Sequence, residues 1–199
     1  MSYFYPLIMS TSYEEQTFEH VDYSSQEMYG IEYYKCTFVN CNFSHTALRS
    51  TDFIDCIFSG CNFSLATLDD AGLKNVHFTS CKLIGINFSV CKPLLFSVGF
   101  KDCHLDYSTF FKKNMKKTKF DGCSLKEVDF EEADLSMAIF NKCDMTNTHF
   151  IHTNLEKADF RTATNYTMDA EINKLKKAKF SYLGIAGLLA KYNIDIEFE

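Results

Sequence analysis

A large apolar residue recurs at every fifth position through most of this chain. Eleven consecutive positions from Phe38 to Phe88, and fourteen from Leu95 to Phe160, hold only Phe, Leu or Met at this spacing. A spacing of five matches neither the helical period of 3.6 residues nor the strand period of two. The pattern therefore predicts a chain that bends after every five residues, so that each large side chain points into one shared core.

The residue two positions before each large residue is usually small. Two residues apart in an extended chain lie on the same side, so both members of the pair point inward. The residue between them is often Asp, Asn or Ser and faces outward. A seven-residue step joins Phe88 to Leu95, and we interpret residues 89–95 as containing a two-residue insertion.

The cysteines indicate how many of these segments complete one coil. Six of the nine follow a spacing of 20 residues that is interrupted once, by the insertion: Cys41, Cys61, Cys81, Cys103, Cys123 and Cys143. Twenty residues are four pentapeptides, which predicts a four-sided solenoid. Coils stacked at the strand spacing of about 4.8 Å would make residues 16–165 a rod of roughly 36 Å.

The pattern resembles the pentapeptide-repeat proteins, whose repeat has the consensus A(D/N)LXX. Ala133-Asp134-Leu135, Thr153-Asn154-Leu155 and Ala158-Asp159-Phe160 are near-ideal copies. The resemblance implies an all-β solenoid, specifically a right-handed quadrilateral β-helix with four pentapeptides per coil. It is nearest in style to the Qnr-type and MfpA-type quinolone-resistance proteins.

Three segments are expected along the chain. Residues 1–15 would cover the first coil as an N-terminal cap, and 16–180 would form the β-helix, with an irregular stretch at 161–174. Residues 181–199 would form a short helix and then a strand, because their apolar residues shift from helical spacing to alternation.

The C-terminal segment has two interpretations that the sequence leaves open. It either caps the open core of its own solenoid or joins two copies of the chain as a homodimer. The resemblance implies the dimer, since the related proteins dimerise through C-terminal helices. The candidate dimer interface consists of Tyr182, Ile185, Leu188, Leu189, Tyr192, Ile194, Ile196 and Phe198.

No catalytic residue, metal site or cofactor is predicted. The nine cysteines occupy the small inward position and are interpreted as core residues, although a disulfide between stacked coils is not sterically excluded. His104, Ser124 and Asp144 fall in one outward column, but in the wrong order for a catalytic triad. A core filled with Phe and Leu leaves no cavity for a substrate, so we do not expect an enzyme.

Charge restricts the classes of partner. A net charge of −6 argues against direct binding to nucleic acid or to an anionic membrane. The N-terminus lacks the features of a signal peptide, and no stretch is apolar for long enough to span a bilayer, so the expected location is the cytoplasm. The basic patch Lys112–Lys119 has no assigned role, and Lys113 falls in an inward position that predicts a local irregularity.

Two functions of different classes remain. The first is a non-enzymatic interaction scaffold that binds a protein partner of unknown identity. The alternative, which the resemblance implies, is a DNA mimic that binds DNA gyrase or another type II topoisomerase and modulates it or protects it from quinolones. The candidate partner-binding acidic face consists of Asp121, Glu127, Asp129, Glu131, Glu132, Asp134 and Asp144.

Overall fold

A computed structural model describes residues 11–197, and residues 11–180 wind into a four-sided parallel β-solenoid. Residues 20 positions apart pair between coils, as Tyr33 does with Phe53 and Phe53 with Leu73. After the insertion the same spacing returns, with Phe100 paired to Phe120 and Phe120 to Phe140. The predicted four-sided solenoid is therefore confirmed.

Twelve short strands, β1 to β12, run parallel between coils. They are, in order, Ser12–Glu14, Thr17–Glu19, Glu27–Tyr29, Glu32–Tyr34, Thr37–Val39, Ala47–Arg49, Asp52–Ile54, Ile57–Ser59, Gly72–Thr79, Phe96–Lys101, Lys119–Asp121 and Ile139–Asn141. Elsewhere single parallel bridges connect the coils, for example His104 to Ser124. Since Ser12–Glu14 already pairs with Glu32–Tyr34, the ladder includes residues that we had assigned to the cap. The rest of that cap, residues 1–10, lies outside the described residues.

The four sides of the solenoid are named here by their large inward residues. Side 1 includes Tyr33, Phe53 and Leu135; side 2 includes Phe38, Phe58 and Phe140; side 3 includes Phe43, Phe63 and Met145; side 4 includes Leu48, Phe110 and Phe130. These residues are almost fully buried. Beyond each of them the chain turns a corner through a residue with positive φ, such as Asn40 at 52° or Glu127 at 56°.

The corners are of two kinds. In a closed corner the N–H of the next inward residue donates to the carbonyl of the large residue three positions earlier, as in a type II turn. All seven alanines in the small inward position follow closed corners: Ala66, Ala71, Ala133, Ala138, Ala158, Ala163 and Ala178. In an open corner this hydrogen bond is absent. Within residues 11–197, eight of the nine cysteines follow open corners: Cys36, Cys41, Cys56, Cys61, Cys81, Cys103, Cys123 and Cys143.

The cysteines do more than fill space in the core. The Cys56 thiol donates to the carbonyls of Tyr33 at 3.3 Å and Ile54 at 3.4 Å, one in the preceding coil and one in the adjoining corner. A thiol is larger than a methyl group and donates a weak hydrogen bond, so it both fills space and stabilises the open corner. A side-chain donor alone does not decide the type of corner, since Thr46 and Ser108 donate to carbonyls of the preceding coil and follow closed corners. All nine thiols are free.

Aromatic rings stack along the axis of the solenoid. The ring centroids of Phe43 and Phe63 are 4.5 Å apart, and those of Phe120 and Phe140 are 5.0 Å apart. Side 2 is aromatic throughout. Up to about residue 63 sides 1 and 3 are also aromatic, whereas from Phe88 onward the second aromatic column is on side 4. A cavity of only about 10 Å³ lies at this change, lined in part by Phe63, Leu68 and Phe88.

The insertion produces the predicted irregularity. Two 3-10 turns, Phe88–Val90 and Pro93–Leu95, displace the chain, and Phe96 rather than Leu95 pairs with Leu73. The expectation that Leu95 continues the five-residue pattern is therefore wrong. The reason is that Pro93 at the start of the second turn fixes its backbone, so one more residue passes before the chain is extended again.

Lys113 points inward beside this insertion and is 5% exposed. Its ammonium group donates to the carbonyl of Cys91 and lies 4.9 Å from the centroid of the Phe96 ring. Burial lowers the pKa of Lys113. The side chain thus supplies a hydrogen bond to a carbonyl at the insertion, where it fills the space that a small residue fills elsewhere.

At the C-terminal end Tyr166, rather than Asn165, enters the core, with its ring centroid 5.4 Å from that of Phe160. Residues 183–192 then form a short helical segment: a 3-10 turn at Leu183–Ile185, α1 at Ala186–Leu189 and a second 3-10 turn at Ala190–Tyr192. None of the helices in residues 11–197 combines the length and apolar character that crossing a membrane requires.

The strand predicted after this helix is wrong for the residues that the structure describes, because 193–197 contain no strand. Ile194 and Ile196 do alternate with acids, but no neighbouring strand pairs with them. A strand requires a hydrogen-bonded partner, which the sequence pattern alone does not supply. Phe198 lies outside the described residues.

Candidate functional site

The seven acidic residues proposed as one face lie on different sides. Asp134 is on side 1, Asp121 on side 2 and Asp144 on side 3, as their pairing partners show. The other four follow one another along side 4 and its two corners: Glu127, Asp129, Glu131 and Glu132. The structure therefore brings together four of the seven and separates the rest.

Three of these acids have a structural task. The carboxylates of Asp129, Asp134 and Asp144 each accept the N–H of the residue two positions later, at 2.8, 2.9 and 3.2 Å. Such bonds stabilise a turn and explain the frequent Asp or Asn just before the large residue. This position in the repeat was the sequence signal that could have distinguished turn-forming acids from acids available to a partner.

Basic side chains of the same chain neutralise part of the acidic surface. Glu132 pairs with Lys112 at 3.4 Å and Asp144 with Lys126 at 3.2 Å. His149 lies 3.7 Å from Glu127, while its backbone bridges to Asp129 in the neighbouring coil. Partial burial raises the pKa of Asp144, but hydrogen bonds from Asn165, Thr146 and Lys126 outweigh this and lower the pKa to about 2.

The column of His104, Ser124 and Asp144 forms as predicted through successive bridges. The Ser124 hydroxyl donates to Asp106 at 2.6 Å, which gives it a structural partner. Within residues 11–197 no three His, Cys, Asp or Glu side chains are placed to hold a metal ion.

The C-terminal segment presents an apolar surface. Tyr182 is 82% exposed and Ile194 55% exposed, whereas Leu188 packs against the core. Lys191 anchors the segment by pairing with Asp169 at 2.7 Å and Glu171 at 2.9 Å. Hydrogen bonding to Lys191 lowers the pKa of both carboxyl groups and raises that of the lysine.

An open cleft of about 840 Å³ is lined by residues of the helical segment and of the last coil. Tyr166 lies in it, 4% exposed, with a hydroxyl that has no hydrogen-bond partner among the described residues. A Cβ at Gly184 would approach this hydroxyl to 1.9 Å, and a Cβ at Gly187 would approach the Tyr166 carbonyl to 2.1 Å. Both glycines therefore allow the helix to lie against Tyr166.

Charge separates around the solenoid between residues 103 and 182. Sides 1 and 2 carry eleven Lys or Arg and four acids, in the ranges 113–122, 133–142, 153–162 and 173–182. Sides 3 and 4 carry two Lys and eight acids, in the ranges 103–112, 123–132, 143–152 and 163–172. The sequence showed basic segments near 112–119 and 172–192, but only the register of 20 shows that both lie on the same two sides.

A family model described as "Pentapeptide repeat region" matches residues 31–110 and 113–188. No curated protein matches the chain.

Among solved structures, the chain is similar to trypsin-treated QnrB1, a plasmid-mediated fluoroquinolone resistance protein. The identity is 18% and the TM-score 0.48, over 96% of this chain and 100% of that chain. It is also similar to HetL, a pentapeptide repeat protein involved in heterocyst differentiation regulation from the cyanobacterium Nostoc sp., at 18% identity and a TM-score of 0.32, over 86% of both chains.

Proposed function

The chain belongs to the pentapeptide-repeat family, and from this premise we propose that it is a non-enzymatic scaffold that binds a protein partner through its flat outer sides. The filled core carries this proposal. The large inward residues from Phe38 to Phe160 leave a void of about 10 Å³ where the aromatic columns change side, far smaller than a typical ligand pocket. What the molecule offers a partner is its polar outer columns.

Photo-crosslinking tests the scaffold proposal. A photoreactive residue is introduced at one outward position on each side within a single stretch: Thr109, Asn114, Lys119 and Ser124. We expect one side, or two adjacent sides, to capture a discrete protein from a native extract, while the remaining sides serve as matched controls. Equal background capture by all four sides would contradict the proposal.

The second candidate is the DNA mimic that binds DNA gyrase or another type II topoisomerase. The excess of acids on sides 3 and 4 favours it, since negative charge is attracted to a DNA-binding surface. The ion pairs of Glu132 and Asp144 oppose it, because they reduce the charge available to a partner. We therefore rank it below the general scaffold.

Gyrase supercoiling, measured with increasing protein at low and moderate salt, separates the two candidates. The scaffold proposal expects no inhibition at micromolar protein. Salt-sensitive inhibition would favour the mimic if it were lost in the variant Glu127→Lys, Glu131→Lys, Glu132→Lys. The matched control carries the same charge change elsewhere: Glu14→Lys, Glu19→Lys, Glu27→Lys.

We also propose that the C-terminal segment joins two copies of the chain, because several exposed apolar residues of one short segment, among them Tyr182, Ile185 and Ile194, favour association. Light scattering should give a dimer mass that falls to a monomer mass for Ile194→Asp with Ile196→Asp. Exposed isoleucines on the solenoid body supply the control, Ile57→Asp with Ile151→Asp. A monomer mass for the wild-type chain would contradict the dimer, and the segment would then only cap its own solenoid.

The proposed location is the cytoplasm, since nine free buried thiols suit a reducing compartment. Cell fractionation tests this. Recovery of the protein from an oxidising compartment would contradict it.

A further inference from the structure

The basic surface on sides 1 and 2 has no internal counter-charge for most of its lysines. Nine lysines there are exposed and make no ion pair within residues 11–197: Lys116, Lys117, Lys119, Lys142, Lys157, Lys174, Lys176, Lys177 and Lys179. We call this set the basic ridge. Clustered like charges repel one another, so the fold alone gives no stabilising reason for the ridge.

The acidic sides differ in this respect. Four of their eight acids pair with lysines of the same chain: Glu132, Asp144, Asp169 and Glu171. In the described part of the chain, the basic sides thus hold nine unpaired lysines and the acidic sides four acids outside any lysine pair, although the net charge of the whole chain is −6.

The ridge has two centres. Lys116, Lys117 and Lys119 lie in one coil, and Lys176, Lys177 and Lys179 occupy the same three columns 60 residues later. Three coil steps of about 4.8 Å place the two clusters about 14 Å apart along the axis. Lys174 adds to the second cluster, and Lys157 lies between the clusters.

We propose that the basic ridge docks a protein partner that presents two clusters of carboxylates about 14 Å apart. The proposal rests on the scaffold function and specifies the chemistry of its partner. Lysine is a flexible point charge that pairs with carboxylates without demanding a fixed geometry, which suits an extended acidic segment lying along the axis.

Carboxylates within the ridge favour a protein over nucleic acid. Asp134, Glu156 and Asp159 lie in the two coils between the clusters, where a phosphate backbone crossing the ridge would meet them. Arg161 is already engaged by Asp159, with nitrogen–oxygen distances of 2.7 to 3.2 Å. Between the two lysine clusters, from 120 to 175, these two sides expose no aromatic ring on which a base could stack, and the exposed ring of Tyr182 follows the last cluster.

A labelled peptide tests the proposal on the full chain. The peptide carries two pairs of glutamates separated by two neutral residues, so that the centres of the pairs lie four residues, or about 13 Å, apart when the peptide is extended. Binding is followed by fluorescence anisotropy at low salt and at about 0.15 M salt. Its control has the same composition with the four glutamates contiguous. We expect the split peptide to bind more tightly, and the triple variant Lys116→Glu, Lys117→Glu, Lys119→Glu to weaken its binding by about tenfold or more.

The matched variant carries the same charge change on exposed, unpaired basic residues outside the ridge: Arg49→Glu, Lys74→Glu and Lys82→Glu. At about 0.15 M salt, where long-range charge effects are screened, its affinity for the split peptide should be within about twofold of the wild-type affinity. Equal weakening by both triple variants would mean that only net charge acts, and the proposal would fail.

Three other results would also overturn it. They are tighter binding of a short duplex DNA than of the split peptide, equal affinity for split and contiguous peptides, and no binding of either peptide at low salt. The crosslinking test can distinguish this failure from failure of the scaffold function. If side 3 or 4 captured a partner and positions on the basic ridge captured none, the scaffold proposal would stand and the proposal for the basic ridge would fail.

Discussion

The two halves of the solenoid have the same register but fill their cores differently. Up to residue 63, aromatic residues occupy sides 1, 2 and 3, as in the coil of Tyr33, Phe38, Phe43 and Leu48. From the last coil before the insertion onward, which contains Phe78 and Phe88, they occupy the opposed sides 2 and 4. The five-residue spacing therefore fixes where a large residue must be, but not how aromatic and aliphatic residues are distributed around a coil.

The halves also differ at their corners. Sides 1 and 4 begin with open corners, such as those after Phe53 and Leu48, and change to closed corners such as those after Leu135 and Phe130. Side 2 keeps open corners from Phe38 to Phe140, each followed by a cysteine from Cys41 to Cys143, and has a closed corner after Phe160. The type of small inward residue thus correlates with whether the corner before it is open or closed.

The largest expected effect comes from removing an aromatic ring on side 2. Phe58→Ala and Phe120→Ala should each lower the free energy of unfolding by about 3–5 kcal/mol. The loss should be larger for Phe58→Ala, because the Phe58 ring makes three edge-to-face contacts and the Phe120 ring makes two. The partners of Phe58 are Phe43, Phe53 and Phe63, and those of Phe120 are Phe110 and Phe130. Urea unfolding measures both. An equal or greater loss for Phe120→Ala would remove the distinction between the halves.

Giving the second half an aromatic residue on side 1 should overpack it. Leu135→Phe introduces a third ring next to Phe130 and Phe140 and should cost about 1–3 kcal/mol. Adding Phe130→Leu restores the volume and should recover part of that loss in a double-mutant cycle. The control is Phe130→Leu alone, which should destabilise. Strictly additive effects would mean that the two positions do not share space.

Open corners on side 2 occur in both halves, and the cysteine that follows such a corner should contribute a similar free energy of unfolding in each half. Cys61 and Cys143 donate to two carbonyls each, all four at 3.5 Å. Cys61→Ala and Cys143→Ala should therefore each cost about 1 kcal/mol, with closely matching thermal or urea midpoints. A clear difference between them would show that the surrounding core, rather than the corner, determines the role of the thiol.

Acid should affect the second half slightly more than the first. The pKa of Asp144 is lowered to about 2 in the folded state, against about 3.9 in an unfolded chain. Its stabilisation is therefore fully present above pH 4 and is lost as the pH falls toward 2. Solvent screening limits the effect to below about 1 kcal/mol.

The protection of backbone amides near residues 123–146 against hydrogen exchange, corrected for the intrinsic pH dependence of exchange, should fall over that pH interval. Asp144→Asn should abolish this change. Unchanged protection in the wild-type chain would show that Asp144 does not stabilise this half.

The sequence predicted the repeating body far better than its ends. Each coil contains a large residue, a small residue and a turn-forming residue at fixed positions, so local and long-range preferences agree from Phe38 to Phe88 and again from Phe100 to Phe160. At Pro93, Tyr166 and Ile194 this agreement fails. A fixed backbone angle displaces Leu95, a neighbouring tyrosine replaces Asn165 in the core, and an alternating segment lacks a partner strand.

The spacing of apolar residues and cysteines by itself determined the four-sided coil, because a large residue every five positions requires a bend after each pentapeptide and the 20-residue spacing of the cysteines indicates four pentapeptides per coil. The tertiary structure decided which charges are neighbours. Residues that are 20, 40 or 60 positions apart come within one to three coil steps, so the proposed acidic face divides among four sides and two distant lysine clusters become one ridge. Charge interactions depend on distance in space, and sequence separation reports that distance only after the register between coils is known.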